Sequence, residues 1–343
     1  MISTADDFLK TAAAPLAEAE GSAVPAGGEA FWFDARDGAR LRGAVWRDGE
    51  TARGTVLVLH GRTEFIEKYY EVIGELLARG FAVATMDWRG QGLSVRETGN
   101  PLKGHVRRFA DFEGDLAAFL GVIGTRGLPM PLVALAHSMG GHVLLRWLYR
   151  QASHDVAARG LPEISAAALS APMIALNMSP AANLLMRALC FGADALSLGE
   201  RYIPGGSNAQ ATGAEAFADN IVTSDPERHA RVAALVAADP RLALAAPTCA
   251  WGAAAADSMD EMLRPGVPEA IDVPVLIAGA ENDLLVDAAA MPAYTARLPK
   301  GRYLAVPEAR HEILMERDPV RTPFWGAFDA LAAEVAPARS GGA

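Results

Sequence analysis

Three residues far apart in the chain have the types needed to activate a hydroxyl. Ser138 closes the run Leu132-Val133-Ala134-Leu135-Ala136-His137 and stands before Met139, Gly140 and Gly141. A serine hydroxyl is a weak nucleophile until an adjacent base takes its proton, and that base needs an orienting carboxylate. His311, after the run "RYLAVPEA", is the expected base, and Asp283, after "VPVLIAG", the expected acid. Serine, acid, histidine is one of the chain orders this chemistry uses. The acid has neighbours: "GAENDLLVD" also offers Glu281 and Asp287. Asp283 is best placed to reach from the loop, Glu281 sits close to the strand, and Asp287 reads as a helix N-cap before Ala288 to Ala290.

Attack on a carbonyl also needs two N–H donors for the developing oxyanion. The amide of Met139, just after the nucleophile, is one. The amide of Arg62, in the loop after "TVLVLHG", is the other. His60-Gly61 lets that loop fold back beside the serine, and "DWRGQGLS" (87–94) reads as structural support for it. His60, Gly61, His137 and Met173 are candidates for lining the substrate position. A sharp elbow at Ser138 crowds the residues two before and two after it. Both are small, Ala136 and Gly140, although the usual pattern G-x-S-x-G has glycine at the first place. The bland alternative is a tight turn whose serine merely caps a helix.

These residues need elements to bring them together. "AFWFDA" and "RLRGAVW" predict a hairpin turned at Asp37-Gly38. After it, short apolar runs alternate with helical patterns: strands at "TVLVLHG", "FAVATMDW", "PLVALAHS" and "AAALSAP", helices at "YYEVIGELLARG", "FADFEGDLAAFLGVI" and "MGGHVLLRWLYRQ". Such alternation implies an α/β fold with a mostly parallel sheet and helices on both faces. Right-handed crossovers then gather the loops after the strands on one side. The rhythm breaks from Met173 to Ile271, where helical pieces replace strands, and resumes at "VPVLIAGAEND", helix "DAAAMPAYTARL", strand "RYLAVPEA" and helix "TPFWGAFDALAAEV". The expected organisation is a flexible arm at 1–28, a core at 29–172 and 272–336, a helical cap at 173–271 and a frayed tail at 337–343.

Composition bounds the function. The chain has 343 residues, 51% of them hydrophobic, enough for one large α/β domain with an insertion. Its net charge of −10 offers no basic field for nucleic acid. Two cysteines, Cys190 and Cys249, are too few for a disulfide framework and read as buried thiols, and no Cys/His cluster has metal-ligand spacing. No cofactor or metal is expected. The start "MISTADDFLKTAAAPLAEAEG" lacks a basic segment followed by an apolar one, and no apolar run reaches the roughly 20 residues needed to span a bilayer. The expectation is a cytoplasmic protein, with peripheral contact at the inner membrane surface as an open alternative. Oligomeric state is open.

The residues carry a resemblance beyond these patterns. "HGRTEFIEKYY", "DWRGQGLS", "GHVRRFADFEGDLAAF", "LAHSMGGH", "SAPM", "VTSDPERHAR", "APTCAW" and "ARHEILMERD" together resemble the bacterial lysophospholipase and monoacylglycerol lipase group of the α/β-hydrolases, from about Ala30 to Val335. "HSMGG" is shared by many hydrolases; "HGRTE", "GHVRRF" and "HEILMERD" are more specific to the group. The resemblance implies the α/β-hydrolase fold, a triad of Ser138, Asp283 and His311, an oxyanion hole from the amides of Arg62 and Met139, and a lid at 173–271 over an acyl pocket. Ala136 and the crowded acid loop depart from the pattern. The Met- and Leu-rich "MIALNMSPAANLLMRALCFGADAL" suits a pocket for varied acyl chains. The expected activity is hydrolysis of a lipid-type carboxylic ester, a lysophospholipid or a monoacylglycerol, through an acyl-enzyme on Ser138. A small-ester carboxylesterase, a thioesterase, a peptidase or a cofactor-free peroxidase remain alternatives. The competing class is a non-catalytic binding protein of the same fold.

Overall fold

The computed structural model describes residues 12–47, 52–153 and 160–337. Nine strands form one sheet: β1 (Ala12–Ala13), β2 (Gly28–Asp34), β3 (Arg40–Trp46), β4 (Thr55–Leu59), β5 (Ala82–Met86), β6 (Leu132–His137), β7 (Ile164–Ser170), β8 (Val275–Ala280) and β9 (Gly301–Val306). Their spatial order is β1-β2-β3-β5-β4-β6-β7-β8-β9. The first three strands pair antiparallel, and β3 joins β5 antiparallel. From β5 to β9 every pairing is parallel. Strands β4, β5, β6 and β8 are buried along their whole length, as continuous apolar runs require when helices cover both faces. The hairpin turns at Asp37-Gly38, where Gly38 has φ +85°.

The described residues form eight α-helices: α1 (Tyr70–Ala78), α2 (Phe109–Thr125), α3 (Ser138–Ala152), α4 (Pro180–Ala195), α5 (Pro226–Ala238), α6 (Cys249–Leu263), α7 (Ala290–Thr295) and α8 (Asp318–Val335). Among the described residues no helix is long and apolar enough to cross a membrane. Helix α8 starts four residues before the expected Thr322. Pro319 supplies the fixed φ of its first turn, and Pro323 lies inside the helix.

Residues 12–27, expected within a loose arm, are instead held down. Ala12–Ala13 pairs with Phe31–Trp32. The Arg42 guanidinium donates to the Pro15 carbonyl at 3.0 Å, and Glu67 accepts from the Ala17 amide at 3.1 Å. These anchors come from buried side chains far along the chain, which an alanine-rich local sequence does not reveal. Residues 1–11 of that arm, and 338–343 of the expected tail, lie outside the described residues.

The segment 173–271 leaves the sheet after β7 and returns at β8. It carries α4, α5, α6 and short turns. Helix α6 is built into the main core: Trp251, Met259 and Met262 pack there, Ser258 bonds His142 of α3 at 2.6 Å, and Trp251 meets Phe109 of α2 at 5.7 Å between ring centres. Helix α4 lies on α6, with the buried thiols Cys190 and Cys249 in their contact. Helix α5 is pinned to α1 by Arg228, whose guanidinium bonds Glu71 at 2.6 and 2.8 Å.

Candidate active site

All the site residues follow carboxyl ends of parallel strands: Arg62 after β4, Ser138 after β6, Met173 after β7, Asp283 after β8 and His311 after β9. Ser138 opens α3 with φ +49°, a left-handed conformation unusual for a residue with a Cβ. The crowding that causes small residues here is visible. A Cβ on Gly140 would overlap the carbonyls of Leu59 and His60, and one on Gly141 would lie 2.9 Å from Pro172. Ala136 sits fully packed between Leu59 of β4 and Leu169 of β7.

The structure brings Ser138, His311 and Asp283 together. Ser138 Oγ is 2.9 Å from His311 Nε2, and His311 Nδ1 is 2.7 Å from Asp283 Oδ2. The other Asp283 oxygen accepts from the amides of Leu285 and Val286 at 2.8 and 3.0 Å. Burial opposes ionisation of Asp283, but the His311 hydrogen bond and these amides hold its carboxyl below the usual value. Of the other two carboxylates, Glu281 is exposed, and Asp287 caps the Ala289 amide at 2.9 Å. Only Asp283 of the three reaches the imidazole.

Among the described residues no acceptor is bonded to the amides of Arg62 or Met139. Met139 lies in the first turn of α3, where an N–H has no intrahelical partner. Gly61 lets the β4 loop approach the elbow: a Cβ there would be 3.1 Å from the Ser138 Cβ and 3.0 Å from His137 Cδ2.

The four candidate lining residues fall in different places. Met173 donates its amide to the Ser138 carbonyl at 3.0 Å, tying β7 to the elbow. His137 is buried, with Nδ1 3.0 Å from the Ser170 carbonyl and its ring 4.8 Å from that of His311. Burial pushes its imidazole down to about 4, so it is neutral at pH 7. His60 does not line open space. It is fully buried, with Nδ1 2.8 Å from the Gly61 carbonyl and Nε2 3.6 Å from Asp87, because its side chain turns inward under the loop. Gly61 contributes its lack of a side chain.

Four further residues brace the oxyanion loop: Gln91 and Asp87 from the expected supporting segment 87–94, and Glu64 and Lys68, which local sequence patterns did not single out. Glu64, fully buried, accepts from the Gly61 amide at 2.5 Å and the Tyr69 hydroxyl at 2.8 Å, and pairs with Lys68 at 2.7 Å. Burial would raise its pKa, but Lys68 holds it well below the carboxylate range. Lys68 also bonds Glu312, beside His311, at 2.6 Å. Gln91, within "DWRGQGLS", accepts from the Thr63 amide at 2.6 Å and sits 3.8 Å from the Met139 sulfur, linking the β4 loop to the Met139 side chain. Asp87 of the same loop binds Arg42 at 2.7 Å and the amides of Ile66 and Leu93 at 3.0 and 2.8 Å. The signal for Glu64 and Lys68 was present in "HGRTEFIEK", but nothing local distinguishes a charge that will be buried from one on a solvated turn.

The same loop carries a guanidinium. Arg62 donates to the Ala245 carbonyl at 2.8 Å and lies 5.8 Å from the centre of the Trp251 ring. Burial lowers its pKa to about 10, which leaves it charged at pH 7. A cavity of about 380 Å³ opens beside it, lined also by Thr63, Lys68, Thr212, His229 and Glu312.

A mostly parallel sheet whose strand ends deliver a serine on an elbow, then an acid and a histidine, is the α/β-hydrolase fold in its serine-hydrolase form. The chain belongs to the Hydrolase_4 family, serine aminopeptidase, S33, whose sequence model matches residues 50–318. It is 30% identical to lysophospholipase L2 of Escherichia coli K12 over 280 residues, covering 78% of this chain and 76% of that one. It is 29% identical over 137 residues to a monoacylglycerol lipase of Mycolicibacterium smegmatis, covering 40% and 44% of the two chains. Its fold matches a soluble variant of monoglyceride lipase from Saccharomyces cerevisiae, solved with a substrate analog. The TM-score is 0.68 at 22% identity, over 94% of this chain and 99% of that one.

Proposed function

We propose that the protein hydrolyses carboxylic esters of lipid type, a lysophospholipid or a monoacylglycerol, with Ser138 as nucleophile, His311 as base and Asp283 as its orienting acid. The observation that carries the chemistry is the unbroken chain from Ser138 Oγ through His311 to Asp283, beside two amides free to take an oxyanion. The names of the similar lysophospholipase and monoacylglycerol lipase support the substrate class. As Ser138 Oγ bonds to the ester carbon, its proton passes to His311 Nε2, and the Arg62 and Met139 amides stabilise the tetrahedral oxyanion. His311 returns the proton to the departing alcohol oxygen. Water, deprotonated by the same imidazole, then releases the fatty acid from Ser138.

The segment 173–271 is read as the lid, with α6 as its root in the core. Its helix α4 leaves Leu184 and Leu185 71% and 60% exposed, and Leu196 follows at 73%. Leu284 and Leu285, just after the acid, are also exposed, beside the strand-like contact of Leu176 with Val286 that leads into α4. These residues support contact with a lipid surface around the site entrance. The deciding experiment assays the purified protein and Ser138→Ala on a panel of monoacylglycerols, lysophospholipids and short nitrophenyl esters, with fluorophosphonate labelling in parallel. Turnover and labelling should vanish together in the variant. Undiminished turnover in Ser138→Ala would refute the mechanism, and activity on short esters alone would favour the carboxylesterase reading.

A further inference from the structure

We propose that the Arg62 side chain forms a subsite for the phosphate of the substrate's headgroup. This rests on the lipid-ester reading and sharpens it toward lysophospholipids.

Among the described residues no carboxylate lies within ion-pair distance of Arg62, unlike the buried guanidinium of Arg42, which sits between Glu67 and Asp87. Arg62 is half-buried, and a guanidinium partly withdrawn from water is stabilised by an accompanying anion. Here the chain has built a fixed seat for one and supplied no anion. The seat is assembled from the segments "HGRTE", "GHVRRF" and "APTCAW". A Cβ on Gly104 would be 3.3 Å from Arg62 Nη1. The Gly104 amide donates to the Ala246 carbonyl at 3.2 Å and the Thr248 amide to the Gly104 carbonyl at 2.8 Å. Ala245 then takes one N–H of the fork, Trp251 lies beside the guanidinium, and Arg62 forms part of the cavity wall. Arginine's planar fork matches a phosphate better than a point charge does.

The other charges of the cavity are committed. Lys68 lies between two carboxylates, Glu64 and Glu312, which leave that trio net negative, and Glu215 is exposed at the rim. Thr63 and Thr212 donate their hydroxyls to backbone carbonyls. Of the arginine and lysine side chains lining the cavity, Arg62 is the one without a carboxylate partner among the described residues. Its position also fits the order of groups in a glycerophospholipid. In the proposed mechanism the Arg62 amide takes the ester oxyanion, and its side chain would extend a few bonds beyond, as a phosphate stands a few bonds from the ester across glycerol.

The test compares two substrates that differ only in the phosphate: 1-lauroyl lysophosphatidate and 1-monolauroylglycerol. Arg62→Gln should lower the ratio of their kcat/KM values at least about tenfold, mainly through KM for the phosphorylated lipid, and Arg62→Lys should recover part of it. An unmoved ratio overturns the inference, including an equal fall on both substrates, which would report only a disturbed oxyanion loop. Should the variants misfold, calorimetric titration of the wild-type chain decides. sn-Glycerol 3-phosphate should bind more tightly than inorganic phosphate. Equal affinity would mark a free-phosphate site and no binding would mark none, and either overturns the headgroup subsite. A wild-type protein that turns over neither lipid would refute the lipid-ester reading itself, and the same titration compared between wild type and Arg62→Gln would still decide Arg62.

Discussion

Replacing Asp283 with asparagine separates the acid's role from its neighbours' by a hydrogen-bond argument. Asp283 Oδ1 accepts two backbone N–H groups, from Leu285 and Val286, while Oδ2 faces His311 Nδ1 at 2.7 Å. An asparagine must keep its carbonyl oxygen toward those two donors, because an NH₂ there would face N–H groups. The amide nitrogen is thereby forced toward His311. A donor at that place makes Nδ1 an acceptor and moves the ring proton to Nε2, the nitrogen 2.9 Å from Ser138 Oγ. The base is then blocked from taking the serine proton. A wrong-tautomer histidine costs roughly 10³ to 10⁴ in kcat, about 4–5.5 kcal/mol of barrier. The backbone bonds survive, so KM and the unfolding midpoint should change little. Steady-state hydrolysis of a nitrophenyl ester with a parallel urea melt measures both. A loss below tenfold, or an equal loss in Glu281→Gln or Asp287→Asn, would refute the reasoning.

Ser138→Gly should be more stable than Ser138→Ala by about 0.5–1 kcal/mol in urea, both being inactive. Relief of the left-handed φ supplies about 1–2 kcal/mol, and glycine's extra chain entropy takes back about 0.5–1; alanine as the more stable variant would mean the elbow is unstrained. Glu64→Gln should destabilise the fold by about 1–3 kcal/mol and slow ester turnover, because the Gly61 amide and Lys68 lose their buried carboxylate; unchanged melting and kcat would show the brace to be idle. Burial opposes ionisation of Glu71, yet Arg228, Arg321 and Arg231 lower its pKa to about 2 from an ordinary 4.5. A folded-state pKa below the unfolded one stabilises above the unfolded value, and that stability is lost as pH falls from about 4.5 through about 2. Acid titration followed by circular dichroism should therefore be less steep in Glu71→Gln; an identical profile would remove Glu71 from the α1–α5 contact.

The strands and the elbow were legible because their signals are local. A continuous apolar run such as "TVLVL" can be satisfied only between two helical layers, and small residues around Ser138 report a steric limit that holds wherever the turn lies. The triad order followed from the alternation of elements. Other features depend on which distant side chains meet. Residues 12–27 are ordered by Arg42, Glu67 and Tyr70, none of them nearby in sequence. Glu64, Lys68 and Gln91 look like surface polars until the loops close over them. His60 looked like a lining residue because it precedes the oxyanion loop, but its ring turns under that loop. The final helix, expected from Thr322, begins four residues earlier, where Pro319 fits the first turn.

The positive φ at Ser138 limits which nucleophiles this scaffold can trade. A β-branched side chain is strongly disfavoured there, so threonine, the nearest chemical relative of serine, is excluded by backbone geometry before its reactivity is tested. Aspartate, among the residues that tolerate this region best, and unbranched cysteine are the accessible replacements. Divergence from this chain toward new covalent chemistry would therefore run through carboxylate or thiol at position 138, each requiring a different leaving group and a different partner than the ester hydrolysis proposed for it.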